Sequence, residues 1–277
     1  MPKDLLCVVG SGERSSHALS QGLALASDYQ ASCQFVALVP GPPKLANIFG
    51  AQFVDDLISQ ANARASKDAV AVSASIAEQA KGRGIEAAIS TETRSLAEAA
   101  AAIEKSARSY DLTVIDRPES FVDVSAAIFE TVLFGSGRPV LVAVPGRNPA
   151  RFKRVLLAWD GSAHATRALA AALALFPGLE EVIVLTVVGE KNLDELVPGS
   201  DIAAHIRRHD VKAAVACIDL DPPAEDAGAG ILKFAKAKEA ELIVMGGYGH
   251  SRFRELVLGG VTEYLSRKSD VPLLLVH

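Results

Sequence analysis

The chain has 277 residues, of which 49% are hydrophobic and 22% charged, with Lys+Arg 28 against Asp+Glu 33 and a formal net charge of -5. That usage excludes a disordered tail or a fibre, and at about 150 residues per domain the length points to two domains. An acidic balance with no basic block excludes general electrostatic binding to nucleic acid, and no stretch approaches the roughly 20 apolar residues of a membrane helix, so a soluble, cytoplasmic protein that meets no membrane is expected.

The first half opens with the apolar run Leu5 to Val9, too short for a helix and suited to a strand buried on both faces. Gly10-Ser11-Gly12 breaks it. A helix at Ser15 to Ser27, a strand at Cys33 to Val39, a Gly/Pro loop at Pro40 to Lys44 and a long helix from Ala51 to Gln79 follow, stopped by Gly82-Arg83-Gly84. A strand at Ile85 to Ser90, a helix at Ser95 to Arg108, a strand at Leu112 to Ile115, a helix at Val124 to Phe134 and a strand at Val140 to Val144 complete the half.

After the turn-rich Pro145-Gly146-Arg147-Asn148-Pro149 the order begins again. Strands are expected at Arg154 to Trp159, Glu181 to Val188, Val211 to Ile218, Leu242 to Met245 and Val271 to Val276. Helices are expected at Ala163 to Leu175, Asn192 to Arg208, Ala224 to Ala240 and Gly260 to Ser269. The repetition is an internal duplication, with domains at 1–146 and 151–277. Apolar strands alternating with helices demand a parallel sheet covered on both faces, so each half reads as a doubly wound, Rossmann-like α/β domain. Ligands in such sheets lie beyond the carboxyl ends of the strands. Cys7, Cys33 and Cys217 each fall in an apolar or β-branched segment and read as reduced thiols buried in a core.

The sharpest chemical feature is Gly246-Gly247-Tyr248-Gly249-His250-Ser251 after the strand ending in Met245, with Gly259-Gly260-Val261-Thr262 nine residues beyond Gly249. Glycines just past a buried strand admit a bulky ligand to the backbone, and the second group opens a helix whose first N–H groups suit phosphate oxygens. Thr262 adds a hydroxyl, and His250 or Arg252 a positive charge. A turn after a strand also needs glycine, so the first group alone is as well explained by chain geometry. Asp160, ending Leu156-Leu157-Ala158-Trp159-Asp160, suits a nucleoside hydroxyl or a magnesium ion, or else a turn before a helix.

The spacing G-2x-G-9x-G resembles that of the universal stress protein family, with Gly246, Gly249 and Gly259 in place and Gly260 where the family carries a hydroxyl residue. The resemblance implies an adenine nucleotide, ATP or its relatives ADP and AMP, held by Ala158, Asp160, Val187, Met245, Gly246, Gly249, His250, Gly259, Gly260, Val261 and Thr262. Val187 would then lie at the adenine and Met245 under the ribose, with magnesium at Asp160. It further implies that Pro139 to Val144 and Val271 to Val276 dock on each other, making the chain a pseudo-dimer of its own halves, while a homodimer of chains is left open.

The first half lacks the pattern: Gly10 stands for Asp160, and Asp116-Arg117-Pro118-Glu119-Ser120 stands where the glycines would be. Three functions follow: a stress-response protein whose ligand alters its interactions, an interaction scaffold without nucleotide, or a slow ATP hydrolase. No GxxxxGK[ST] occurs and no lysine lies within the glycine segment, which argues against rapid turnover. His205 and His209 have metal-ligand spacing but enclose two arginines, so a solvated helix face is the better reading. Gly249-His250-Ser251-Arg252-Phe253 makes a poor nucleophile elbow because Phe253 replaces the small final residue.

Overall fold

The structure is a computed structural model that describes residues 1–10, 16–39, 41, 51–119, 124–146, 149, 151–188, 199–220, 226–247, 249–250 and 257–277. The first half runs β1 (Asp4–Gly10), α1 (His17–Tyr29), β2 (Ser32–Leu38), α2 (Ala51–Gly82), β3 (Ala87–Glu92), α3 (Leu96–Ala107), β4 (Leu112–Asp116), α4 (Val124–Gly135) and β5 (Val140–Ala143). The second runs β6 (Arg154–Ala158), α5 (Ala163–Leu175), β7 (Glu181–Val188), α6 (Ser200–Arg207), β8 (Lys212–Asp219), α7 (Ala227–Ala237) and β9 (Leu242–Gly246). It continues with β10 (Gly249–His250), β11 (Val257–Leu258), α8 (Gly260–Lys268) and β12 (Leu273–Val276). The expected elements appear in the expected order. The residues 192–198 assigned to the front of a helix lie outside the described residues, as do 11–15, 42–44 and 120.

Small polar residues start the helices by accepting the first unpaired amides. Ser16 accepts from Leu19 N–H at 3.2 Å, Ser162 from Ala165 N–H at 3.1 Å and Asp226 from Gly228 N–H at 2.7 Å. Ser95 and Glu98 form a capping box before α3.

Ten strands form one sheet in the order β3-β2-β1-β4-β5-β12-β9-β6-β7-β8. Every pairing within it is parallel except the central one, where β5 and β12 run antiparallel with Leu273 opposite Val142, Leu274 opposite Leu141 and Leu275 opposite Val140. The two last strands therefore join the halves, and all of their residues are buried. Because strand directions reverse at this joint, the carboxyl ends of the second half's strands lie alongside the amino end of β5. The core has two layers. One face of the sheet packs against α1, α2, α5 and α6, and the other against α3, α4, α7 and α8.

Cys7 and Cys33 are buried, their Sγ atoms 3.4 Å apart across β1 and β2, and burial pushes the Cys7 thiol well above its ordinary pKa. Cys217 departs from expectation: it is exposed, because β8 is the outermost strand of the second half. Among the described residues no helix is long and apolar enough to cross a membrane.

Candidate functional site

β6 ends at Ala158, which pairs with Leu185 of β7 on one side and Met245 of β9 on the other. Ala158, Val187, Met245 and Val261 all belong to the apolar cluster on the α7/α8 face, with Met245 buried and the other three partly so. The period of two puts Met245 on that face and Gly246 on the opposite one. Four of the residues singled out in the sequence thus share one face of the sheet, near the carboxyl ends of three adjacent strands and in the first turn of α8.

Beyond Ala158 the chain turns. Asp160 is exposed and its Oδ1 accepts from Ser162 N–H at 3.0 Å, with Gly161 at φ 74° carrying the chain into α5. Asp160 therefore shapes a turn as well as standing at the strand end.

The two glycine groups come together through a short antiparallel ribbon, which spacing alone does not foretell. Gly249 pairs with Leu258 and His250 with Val257, setting the first group beside Gly259 at the start of α8. Gly259 occupies the cap position, no side chain among the described residues accepts the first amides of α8, and Gly260 is exposed, with nothing within 4 Å of the place a Cβ would take. Thr262 is buried at 2% exposure, so its side chain is enclosed by protein. The His250 side chain, Tyr248, and Ser251 to Leu256 with Arg252 among them lie outside the described residues.

Gly246 and Gly247 are glycine for a packing reason. A Cβ on Gly246 would lie 2.7 Å from His164 Cβ and 2.9 Å from Ala165 N, so the amino end of α5 fills that space. A Cβ on Gly247 would lie 2.9 Å from a Leu133 methyl of α4 in the other half. Around this pair stands a cluster that sequence reasoning missed. His277 Nδ1 donates to the Gly247 carbonyl at 2.8 Å, while its ring lies edge-on to Phe134 at 4.9 Å and 4.5 Å from that of His164. Arg167 Nη2 is 3.0 Å from His164 Nδ1. A guanidinium only donates, so this nitrogen accepts and the neutral ring carries its proton on Nε2. Burial, then the neighbouring His277 and Arg167, hold the His164 pKa below its ordinary value, and Asp160 opposes them. No hydrophobic period announces such a cluster, because it depends on how α4 and α5 dock.

The first half handles the same position differently. Asp116, at the end of β4, accepts from Ser16 Oγ at 2.7 Å and from Ala18 N–H at 2.8 Å, so its carboxylate rests on the amino end of α1. Burial raises its pKa against the opposing pull of those hydrogen bonds. Arg117, one residue on, reaches the carbonyl of Ser269 past the end of α8, Nη1 to O 2.9 Å. His205 and His209 are both exposed, ring centroids 4.8 Å apart, as a solvated helix face requires. Among the described residues no group of three or more His, Cys, Asp or Glu is placed to hold a metal ion.

Residues 151–277 match the profile of the Universal stress protein family. The second half of the chain is thus similar to that family. The universal stress protein Slr1230 of Synechocystis sp. is 29% identical over 154 residues, 53% of this chain and 50% of that protein. Universal stress protein MJ0577 of Methanocaldococcus jannaschii is 39% identical over 46 residues, 17% of this chain and 28% of that one. The chain thus spans half or less of the length of these curated universal stress proteins. In fold, the crystal structure of a universal stress protein from Archaeoglobus fulgidus superposes with a TM-score of 0.68 at 19% identity, covering 99% of this chain and 95% of that one.

Proposed function

We propose that the second half binds an adenine nucleotide, ATP or a relative, and that occupancy alters the chain's interactions in a stress response. What supports this is the β10–β11 ribbon, which sets the strand-end glycines beside the uncapped start of α8. The unpaired amides at a helix start, with the positive end of the macrodipole, are suited to phosphate oxygens. The apolar group of Ala158, Val187, Met245 and Val261 offers the base and ribose a wall on the same face as α8. Asp160 would take a ribose hydroxyl or hold a magnesium ion, which would supply charge neutralisation there. The donors present fit phosphate better than a bare cation, because among the described residues no group of three or more His, Cys, Asp or Glu is placed to hold a metal ion. Binding and not turnover is the proposed output, since no lysine occurs from Gly246 to Thr262.

A second reading, a scaffold of the same fold without nucleotide, draws on a specific observation: Gly246 and Gly247 are required by His164 and Leu133, whatever binds. Calorimetric titration with ATP and magnesium separates the two. Heat that fits one site and is weakened by Asp160→Ala supports the nucleotide; no heat at millimolar ATP, and none released as nucleotide on denaturing fresh protein, supports the scaffold.

A further inference from the structure

The antiparallel joint between β5 and β12 has a geometric result: the last helix of each half ends against the strand-end loop of the other. In one direction, Arg117 after β4 donates to Ser269 after α8 at 2.9 Å. In the other, Leu133 and Phe134 near the end of α4 meet Gly247 and His277. These are the same contact written twice by the duplication, but only the second touches the glycine segment of the candidate site.

Both main-chain polar groups of Gly247 are engaged. Its N–H donates to the Val276 carbonyl at 2.8 Å and its carbonyl accepts from His277 Nδ1 at 2.8 Å. A carbonyl only accepts, so the neutral His277 ring carries its proton on Nδ1. The ring cannot swing freely, because Phe134 from the first half lies against one side and His164 against another. The N–H and C=O of Gly247 are both held within the second half, while Leu133 of the first half closes the space a side chain would take there, so the Gly247 backbone is fixed by the two halves together.

We infer that α4 of the first half, through Leu133, Phe134 and the His277 imidazole, holds the Gly247 backbone in the conformation that directs the Gly249 segment toward a ligand. His277 is a positioning residue in this arrangement, touching no ligand itself. The half without the glycine pattern thereby serves as the wall against which the other half's ligand segment is set. The inference rests on the nucleotide reading only for the ligand it names.

The test has three arms on the full chain. Long-range proton–nitrogen NMR should find the neutral His277 ring protonated at Nδ1. Amide exchange at Gly247 and Gly249 should quicken about tenfold or more in His277→Ala and in Phe134→Ala, while Val184 in β7 keeps its protection, as expected for a local opening. His277→Asn, whose side-chain N–H can reach the same carbonyl, should restore exchange to within about threefold. ATP affinity should follow the same order, lost in His277→Ala and kept in His277→Asn. An Nε2 proton, exchange indifferent to both alanine variants, or an asparagine variant no better than alanine would overturn the inference, as would ATP affinity unmoved while exchange quickens. Should the unaltered chain take no ATP while the exchange pattern holds, the nucleotide reading falls and the buttress stands.

Discussion

Replacing Gly22 by alanine places a methyl group where there is no room. Gly22 lies in α1, and a Cβ built on it would sit 2.3 Å from Cys7 Sγ, 3.3 Å from Cys7 Cβ and 3.4 Å from Phe35 Cε1. Contact between such atoms is comfortable near about 3.5 to 4.0 Å, so the sulfur is overlapped by more than an ångström. It has little freedom to retreat, since Cys33 Sγ stands 3.4 Å away in a fully buried layer. Overpacking of this kind costs about 1–3 kcal/mol, against which alanine returns about 1 kcal/mol of helix propensity. The net loss expected for Gly22→Ala is therefore up to about 2 kcal/mol, a fall of up to roughly 4 °C in Tm for a chain of this size. Cys7→Ala alone leaves a small void and costs about 1–2 kcal/mol. In that background the worst overlap is gone, so Gly22→Ala should become neutral or stabilising, a coupling of about 2 kcal/mol between the two sites. Urea unfolding of the four proteins measures it. Additive effects, with a coupling below about 0.5 kcal/mol, would refute the claim that the sulfur forbids a side chain at position 22.

At Asp116 burial raises the folded-state pKa above the ordinary carboxylate value, so its contribution to stability is complete at low pH and is lost as pH rises through that raised pKa. Asp116→Asn keeps an acceptor for Ala18 N–H and a donor for Ser16, and its Tm relative to the unaltered chain should climb from pH 4 to pH 7; a flat or falling difference in paired melts would contradict the sign. The Cβ of Gly260→Ser meets no atom within 4 Å and the substitution supplies the hydroxyl of the family pattern, so it should tighten ATP in the titration above without lowering Tm. Gly246→Val should act through the fold, because its branched side chain drives into His164 and Ala165. Its melting temperature should drop whether or not ATP is added, and a variant that melts normally but fails only in binding would speak against the packing role.

The strands and their order were legible because the strands are buried on both faces and so appear as unbroken apolar runs, as at Leu5 to Val9, stopped by Gly10, and at Leu273 to Val276 after Pro272. The joint was legible only through the family resemblance, together with the uniformly apolar character of β5 and β12. The outermost strand β8 was misjudged at Cys217, since its alanines and valine suit a covered strand as well as an exposed one. Within the candidate site, spacing marked the glycines, but it could not tell which wall each one faces. Gly260 looks onto open space while Gly246 and Gly247 are pressed by side chains from α5 and α4. The His164 and His277 rings were invisible for the same reason: they meet only when helices far apart in the chain have docked.

In a dimer of identical chains each surface patch must be its own partner, so one substitution is felt at two symmetry-related places. Here the two sides of the joint are different sequences on one chain, and Arg117 at one contact answers to nothing at the other, where glycine and leucine stand. The tether also holds the partners at an effective concentration of about a millimolar or more, so neither side has to recruit the other from solution. Each contact is thus free to be tuned alone: a change at Phe134 bears on one crevice, and a change at Arg117 on the opposite end of the molecule.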